Sequence, residues 1–265
     1  LSPVESVLPR PKPEDEEEEK SANGESEATP GENQRISREE LYAEVVEDLG
    51  VTFVFLAMTV LSAIVAAVGL IRDDVAVIIG AMVIAPLLTP NVALALGTTL
   101  GDFELMRRAF FANVAGVVTA FAVAIVVGLL FGVDPENKAF AARTEVNFGD
   151  ILLALSAGAA GTLAFTRGLS GAVIGVMVAV ALVPPLVACG MLIGSGQFHL
   201  ATGALLLTVA NVISINLAGV ATFLIQGVRP RSWWEAKRAK TATRRAIAVW
   251  IVLLVALGLI LYLNQ

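Results

Sequence analysis

Seven runs of uncharged, largely apolar residues take up most of this 265-residue chain. Six of them have 18 residues or more, about the length of α-helix that crosses a bilayer, whereas the fourth has only 16. Because 56% of the residues are hydrophobic and only 16% are charged, polar groups are too few to cover the surface of a water-soluble protein. We therefore predict an all-α, polytopic transmembrane helical bundle, with helices in residues 51–71, 75–100, 109–131, 151–166, 168–193, 200–228 and 246–263.

The first 48 residues differ from the rest of the chain in charge. They contain 15 acidic and 5 basic residues, a net charge of −10, whereas the remainder contains 9 acidic and 13 basic residues, a net charge of +4. Residues 1–35 have too little apolar surface to offset the entropy of ordering, so we expect a disordered acidic tail or linker there. Ser37 and Glu40 form a capping-box pattern, which predicts a juxtamembrane amphipathic helix within residues 36–50. Nothing in this charge distribution suggests nucleic-acid binding.

Lys and Arg residues between the runs predict the orientation of the chain. If all seven runs span the membrane and the tail is cytoplasmic, twelve basic residues face the cytoplasm and only Arg72, Lys138 and Arg143 face outward. This distribution satisfies the positive-inside rule and places the N-terminus in the cytoplasm and the C-terminus outside it. A rival arrangement, in which the second and fifth runs dip in and return, moves Arg107 and Arg108 outward and fits less well.

The chain contains an internal duplication. A shift of 95 residues lays residues 79–105 on residues 174–200 with 11 identities in 27 positions, and places Pro90 on Pro185. Each unit then holds three spans, and an odd number of spans makes the second unit enter the membrane from the opposite face. The sequence thus predicts two inverted three-helix repeats plus a seventh helix. The predicted parts are membrane repeat 1 over residues 51–131, an extracytoplasmic loop over 132–150, membrane repeat 2 over 151–228, a basic cytoplasmic loop over 229–245 and the seventh transmembrane helix over 246–265.

Two proline segments lie near the middle of the second and fifth runs: Pro86 with Pro90, and Pro184 with Pro185. Each proline lacks a backbone donor and clashes with the preceding turn, so we expect the second and fifth helices to be broken. If the two breaks face each other across the axis of the repeats, they offer helix N-termini to anions and free carbonyls to cations. The alternative interpretation is two packing kinks.

Polar side chains accompany these segments. Thr89 and Asn91 lie at the first one, and Asn113 falls on Asn211 when three extra residues are allowed in the second half. Asparagines within a membrane bind substrates or join helices by hydrogen bonds, and the sequence leaves both roles open. The candidate substrate path comprises Pro86, Thr89, Pro90, Asn91, Asn113, Pro184, Pro185 and Asn211.

No pattern typical of catalysis or metal binding is visible in the sequence. The chain has neither a His-Glu-x-x-His nor a Gly-x-Ser-x-Gly motif, and Cys189 and His199 are the only residues of their kind. We therefore expect a protein that is not an enzyme, without catalytic residues, cofactor or metal site. Because no run contains Asp, Glu, Lys or Arg, a neutral or anionic solute, a carbonyl-coordinated ion or passive conduction fits better than proton relay through carboxylates.

Residues 79–90 (IGAMVIAPLLTP), 153–161 (LALSAGAAG) and 181–190 (ALVPPLVACG) together closely resemble the DUF389 family of bacterial and archaeal membrane proteins. The resemblance extends over about residues 51–228. It implies a prokaryotic protein of the plasma (inner) membrane and supplies no catalytic residues. Some members of the family carry a soluble domain before the membrane region. Since this chain begins at Leu1 rather than Met, we expect an N-terminal piece to precede it.

These features favour a membrane transporter or channel-like protein for a small solute or ion of unknown identity, with its substrate path at the paired proline breaks. The alternative is a membrane-embedded scaffold or sensor protein that recruits partners through its acidic N-terminal region. In both cases the lipid bilayer is the expected partner, and the sequence leaves open whether the chain forms a homo-oligomer.

Overall fold

The computed structural model describes residues 38–134, 136–167 and 171–228, together with residues 247–252, 255, 256 and 258 near the C-terminus. The described residues form α-helices and connecting turns, with no β-strand among them. The predicted acidic tail and basic loop lie outside the described residues, as does most of the region predicted to form the seventh helix, whose described residues are helical.

Nine helices of defined bounds follow one another in this part of the chain. They are α1 (Arg38–Asp48), α2 (Phe53–Arg72), α3 (Val75–Ile84), α4 (Leu88–Leu100), α5 (Phe103–Phe131), α6 (Lys138–Ala141), α7 (Phe148–Phe165), α8 (Gly171–Gly194) and α9 (Phe198–Ile225).

A tight turn joins α2 to α3. Asp73 adopts the left-handed conformation with φ 54°, and its N–H donates to the last carbonyls of α2. The Oδ1 atom of Asp74 accepts hydrogen bonds from the N–H groups of Ala76 and Val77 at 2.9 and 3.2 Å. The two carboxylates between the first two apolar runs therefore lie at helix ends, where one of them caps α3.

The second apolar run is interrupted at its first proline. Helix α3 ends at Ile84, Ala85 is extended with φ −67° and ψ 121°, and α4 begins two residues after Pro86 at an angle of 57° to α3. A residue that precedes proline is disfavoured in the helical conformation, which accounts for Ala85. Pro90 lies in the first turn of α4, where a backbone N–H has no partner within the helix, so α4 tolerates it.

The prediction of a break in the fifth run is wrong. Helix α8 runs without interruption from Gly171 to Gly194, with Pro184 and Pro185 inside it. Pro185 cannot donate to the carbonyl of Ala181 four residues earlier. The side-chain amide of Asn211 on α9 donates to that carbonyl instead, at 2.6 Å. Since a neighbouring helix supplies the missing donor, the helix continues through the proline.

Helix α5 separates small from large side chains. Its buried positions, apart from Leu105, carry only alanine or glycine, at residues 109, 112, 116, 120, 124 and 128. Its exposed positions carry large apolar side chains such as Phe110, Phe111, Leu129, Leu130 and Phe131. Helices packed in lipid show this distribution, because lipid solvates large apolar side chains and close packing selects small ones.

Glycines bring α5 into backbone contact with α8. A Cβ atom at Gly128 would meet the carbonyl of Met191, and one at Gly194 would meet the carbonyl of Ile125. The two helices belong to different halves of the sequence, so the two halves pack against each other through this contact.

Four described helices, α2, α5, α7 and α9, are each long and apolar enough to cross a membrane. The bent pair α3 and α4 makes a fifth span if it is counted as one, and residues 181–194 of α8 are also apolar. Their outward faces expose large hydrophobic side chains such as Phe53, Leu61 and Leu153. These helices indicate a multi-pass membrane protein.

Candidate functional site

Three asparagine amides form a chain of hydrogen bonds in the interior of the bundle. The Nδ2 atom of Asn91 on α4 donates to the carbonyl of Leu87 at 2.7 Å and to Oδ1 of Asn113 on α5 at 3.0 Å. The Nδ2 atom of Asn216 on α9 donates to Oδ1 of Asn91 at 3.1 Å. Asn91 and Asn216 are buried, so this amide chain, Asn113–Asn91–Asn216, joins α4, α5 and α9 away from lipid.

Asn211 lies one and a half turns before Asn216 on α9. Its Nδ2 atom is taken by the Ala181 carbonyl, but its Oδ1 atom has no hydrogen-bond partner among the described residues. The Oγ atom of Ser214 is in the same state, and both side chains are at least nine-tenths buried. A buried polar atom without a partner costs about 1–3 kcal/mol, so these atoms are candidates for contact with a ligand or with water.

An open pocket of about 350 Å³ reaches from the segment between α6 and α7 to the second proline segment. Helices α3, α7, α8 and α9 form its walls, and Pro185 contributes to the lining. The lining combines the polar side chains of Arg143, Asp150 and Asn211 with the apolar side chains of Ile79, Met82, Leu153 and Leu207, among others.

A close approach of the α6–α7 segment to α9 brings Arg143 to this pocket. A Cβ atom at Gly203 would meet the carbonyl of Thr144, so only glycine at this position lets the segment lie against the helix. The Nη1 atom of Arg143 donates to the carbonyl of Ala139 at 2.6 Å. Burial lowers the pKa of Arg143, and the carboxylate of Asp73 opposes that shift. The guanidinium stays charged at neutral pH, because the pKa of arginine begins far above 7.

Asp150 supplies a negative charge to the same pocket from the first turn of α7. Its Oδ2 atom accepts a hydrogen bond from the N–H of Asn147 at 2.8 Å, as part of a capping box. The carboxylate is therefore held at the helix end, and the pocket is lined by one cation and one anion.

The structure divides the predicted substrate path between two places. Asn91 and Asn113 belong to the amide chain, whereas Pro185 and Asn211 line the pocket. Leu87, Val183 and Leu186, which belong to the two proline segments, are buried in the same apolar cluster. The remaining predicted path residues, which belong to neither the amide chain nor the pocket lining, are Pro86, Thr89, Pro90 and Pro184.

Sequence reasoning missed both charged residues of the pocket lining, Arg143 and Asp150. Arg143 contributed only to the prediction of orientation, and Asp150 only marked the start of the fourth run. A signal for Arg143 exists, since it is one of only three basic residues predicted on the outer side. Its proximity to Asn211 depends on how the α6–α7 segment lies against α9, and the sequence contains no local sign of that contact.

The titratable side chains that the structure describes do not cluster around a metal position. Within the described ranges, no three His, Cys, Asp or Glu side chains lie close enough together to hold a metal ion. The polar groups of the pocket are one guanidinium, one carboxylate and one amide, which bind ligands through charge and hydrogen bonds.

The sequence is similar to those of other proteins over the region that holds the pocket and the amide chain. The family model described as "Domain of unknown function (DUF389)" matches residues 82–217, about half of the chain. An uncharacterized protein from Methanocaldococcus jannaschii is 36% identical over 233 residues, which cover 88% of this chain and 73% of that protein. No solved structure gives a significant match. The matched region contains the amide chain, Arg143 and Asn211. As the resemblance of residues 79–90, 153–161 and 181–190 predicts, this chain belongs to the DUF389 family.

Proposed function

We propose that this protein is a transporter or channel-like protein that moves a small solute or ion, and that it is not an enzyme. The open pocket is the observation that carries the proposal. It reaches Asn211, which lies 13 residues along α9 from Phe198 and therefore about 20 Å from the start of that helix. A polar side chain that lines a cavity at such depth in a membrane protein is typical of a solute path.

An apolar cluster that includes residues of both proline segments suggests how the path works. In this proposal the buried side chains of Leu87, Val183 and Leu186 close the path beyond the pocket, so a solute that enters beside Arg143 stops near Asn211. A site that is open on one side and closed on the other suits alternating access. In this proposal the two three-helix units are inverted repeats, whose relative motion opens the closed side.

The orientation belongs to the same proposal. The chain lies in the plasma membrane with its N-terminus in the cytoplasm, the pocket opens outward, and residues 229–245 lie on the cytoplasmic side. Single cysteines at positions 136 and 237, in a Cys189→Ala background, test this arrangement. We expect an impermeant thiol reagent to label Glu136→Cys in intact cells and Lys237→Cys only after permeabilisation. Labelling of both before permeabilisation would contradict the inverted arrangement.

Flux into proteoliposomes tests transport itself. Ile79 and Val83 lie one turn apart on α3 with exposures of 44% and 45%, but only Ile79 lines the pocket. A panel of ions and small solutes is first tested to find the one that the unaltered protein transports. We expect Ile79→Trp to abolish the flux of that solute and the matched control Val83→Trp to retain it. No flux of any solute by the unaltered protein would refute the proposal, as would equal effects of the two tryptophans.

One contact favours the alternative function as a scaffold or sensor. Helix α1, which follows the acidic tail, buries Leu41 and Val45 against the bundle. The hydroxyl of Tyr42 donates to Oδ2 of Asp102 at 2.8 Å, next to the start of α5. A partner bound to the tail would therefore act on a helix that is packed against the membrane domain, and so could change the contacts of that helix.

A truncation distinguishes the two functions. Removal of residues 1–34 leaves α1 and its contacts in place. Under the transport proposal, the truncated protein keeps its flux in proteoliposomes. Loss of a cellular phenotype together with retained flux, or with no flux from either form, would instead favour recruitment of partners through the tail.

A further inference from the structure

The geometry points to a small zwitterion with an apolar body, an α-amino acid of about the size of leucine, as the ligand of this pocket. This inference rests on the proposed function for its physiological meaning, because it identifies the solute that the path carries. The binding of such a ligand, by contrast, is argued from the residues of the pocket alone.

The charges of the lining select the ligand's two ionic groups. Arg143 offers guanidinium N–H donors, of which one atom, Nη1, is held by the Ala139 carbonyl. A carboxylate is the complementary group, because arginine binds it through paired, charge-assisted hydrogen bonds. Asp150 adds a negative charge to the same lining. This carboxylate repels a simple anion and attracts an ammonium group of the ligand.

The unpartnered amide oxygen of Asn211, a residue of the pocket lining, requires a donor. The Nδ2 atom of Asn211 is held by the Ala181 carbonyl, which orients the side chain, and the Oδ1 atom has no partner among the described residues. An ammonium group has three N–H donors and no acceptor, so it suits a lining that offers this oxygen and the carboxylate of Asp150 as acceptors. A carboxylate in the same place would leave Oδ1 without a partner.

The remaining lining determines the body of the ligand. Ile79, Met82, Leu153 and Leu207 present hydrocarbon to the cavity, and its volume of about 350 Å³ lies at the small end of the range for ligand pockets. Glycine would leave these side chains facing water, and a large charged side chain would be desolvated against them. A branched aliphatic side chain matches the apolar character of this lining.

Isothermal titration of the full chain in lipid nanodiscs tests this inference with four probes. They are L-leucine, 4-methylpentanoate, which lacks the amino group, 3-methylbutylamine, which lacks the carboxylate, and glycine. We expect L-leucine to bind at least about tenfold more tightly than each of the other three, since each of them loses one set of contacts. Equal binding of 4-methylpentanoate and L-leucine would overturn the inference in favour of a simple anion site.

Matched variants assign the carboxylate contact to Arg143. We expect Arg143→Gln to weaken L-leucine binding at least about tenfold and to leave 3-methylbutylamine binding unchanged. The exposed Lys138, the first residue of α6, lies outside the pocket lining and supplies the control Lys138→Gln, which should change the binding of neither probe. Equal effects of both substitutions would show a general field effect and overturn the assignment.

The outcomes separate this inference from the proposed function. Binding of L-leucine without its flux in proteoliposomes would keep the ligand class and refute transport. Flux of another solute that Ile79→Trp blocks, with no L-leucine binding up to about 10 mM, would keep transport and refute the ligand class.

Discussion

Pro90 and Pro185 occupy matching positions of the two halves of the sequence, but their helices differ. The chain bends by 57° just before Pro90, between α3 and α4, whereas α8 passes through Pro185 without interruption. The matched asparagines also differ. Asn211 donates to the Ala181 backbone carbonyl, whereas Asn113 accepts from the Asn91 side chain. The bend follows from Ala85 and Pro86, and Pro86 falls on Ala181 in the second half, whereas in α8 the amide of Asn211 supplies a donor to the carbonyl that Pro185 frees.

Removal of the donor that sustains α8 should have the largest effect on stability. We expect Asn211→Leu to lower the free energy of unfolding by about 1–2 kcal/mol, because the Ala181 carbonyl loses its partner in the protein interior. Asn113→Leu is the matched substitution in the first half and should cost less, since Asn91 keeps its bond to the Leu87 carbonyl. Unfolding by SDS in mixed micelles measures both, and equal losses would remove the proposed difference between the two halves.

A second substitution should then rescue the first. In the Asn211→Leu background, Pro185→Ala restores a backbone N–H that reaches the Ala181 carbonyl, and we expect it to recover at least half of the lost stability. Pro184→Ala is the control, because its N–H reaches the carbonyl of residue 180 instead. A double-mutant cycle on the same unfolding measurement gives the coupling between Asn211 and Pro185, and a coupling near zero would refute the compensation.

The bend in the first half should depend on Pro86. We expect Pro86→Ala to straighten the junction of α3 and α4, because residue 86 gains an N–H and Ala85 is released from its extended conformation. Full straightening lengthens the distance between the exposed positions Val75 and Phe103 by about 4 Å. Spin labels at these positions in a Cys189→Ala background measure the distance. Pro184→Ala should leave it unchanged, and an unaltered distance in Pro86→Ala would assign the bend to packing.

The smallest effect on stability is expected for a hydrogen bond near the end of α3. The Oγ atom of Ser62 donates to the Ala81 carbonyl at 2.7 Å, and the N–H of Ala85 also donates to it at 3.2 Å. Because one donor remains, we expect Ser62→Ala to cost only about 0.6 kcal/mol in the same unfolding assay. Thr59→Val is the control, since the Thr59 hydroxyl bonds only within its own helix, to Phe55. If Ser62→Ala lowered the free energy of unfolding by more than Asn211→Leu does, the larger stabilising hydrogen bond would lie in the first half of the sequence rather than in the second.

Several helix ends show why the apolar runs predicted positions better than bounds. Helix α7 begins at Phe148 rather than at residue 151, because Asn147 and Asp150 form its capping box outside the uncharged run. Helix α5 begins six residues before its run, with exposed charged residues in its first turns. A hydrophobic run reports the part of a helix that contacts lipid, and a helix extends further wherever its end is capped in water.

The sequence by itself determined that this chain forms a bundle of membrane-length helices, and it located the prolines and the matched asparagines. Those properties are local, because hydrophobicity and helix length are read from consecutive residues. Only the tertiary structure decided which proline interrupts its helix and that Asn211, whose Oδ1 atom has no partner among the described residues, lines one pocket with Arg143 and Asp150. Ala181 and Asn211 lie 30 residues apart on different helices, and their hydrogen bond depends on the packing of those helices at a precision of a few tenths of an ångström.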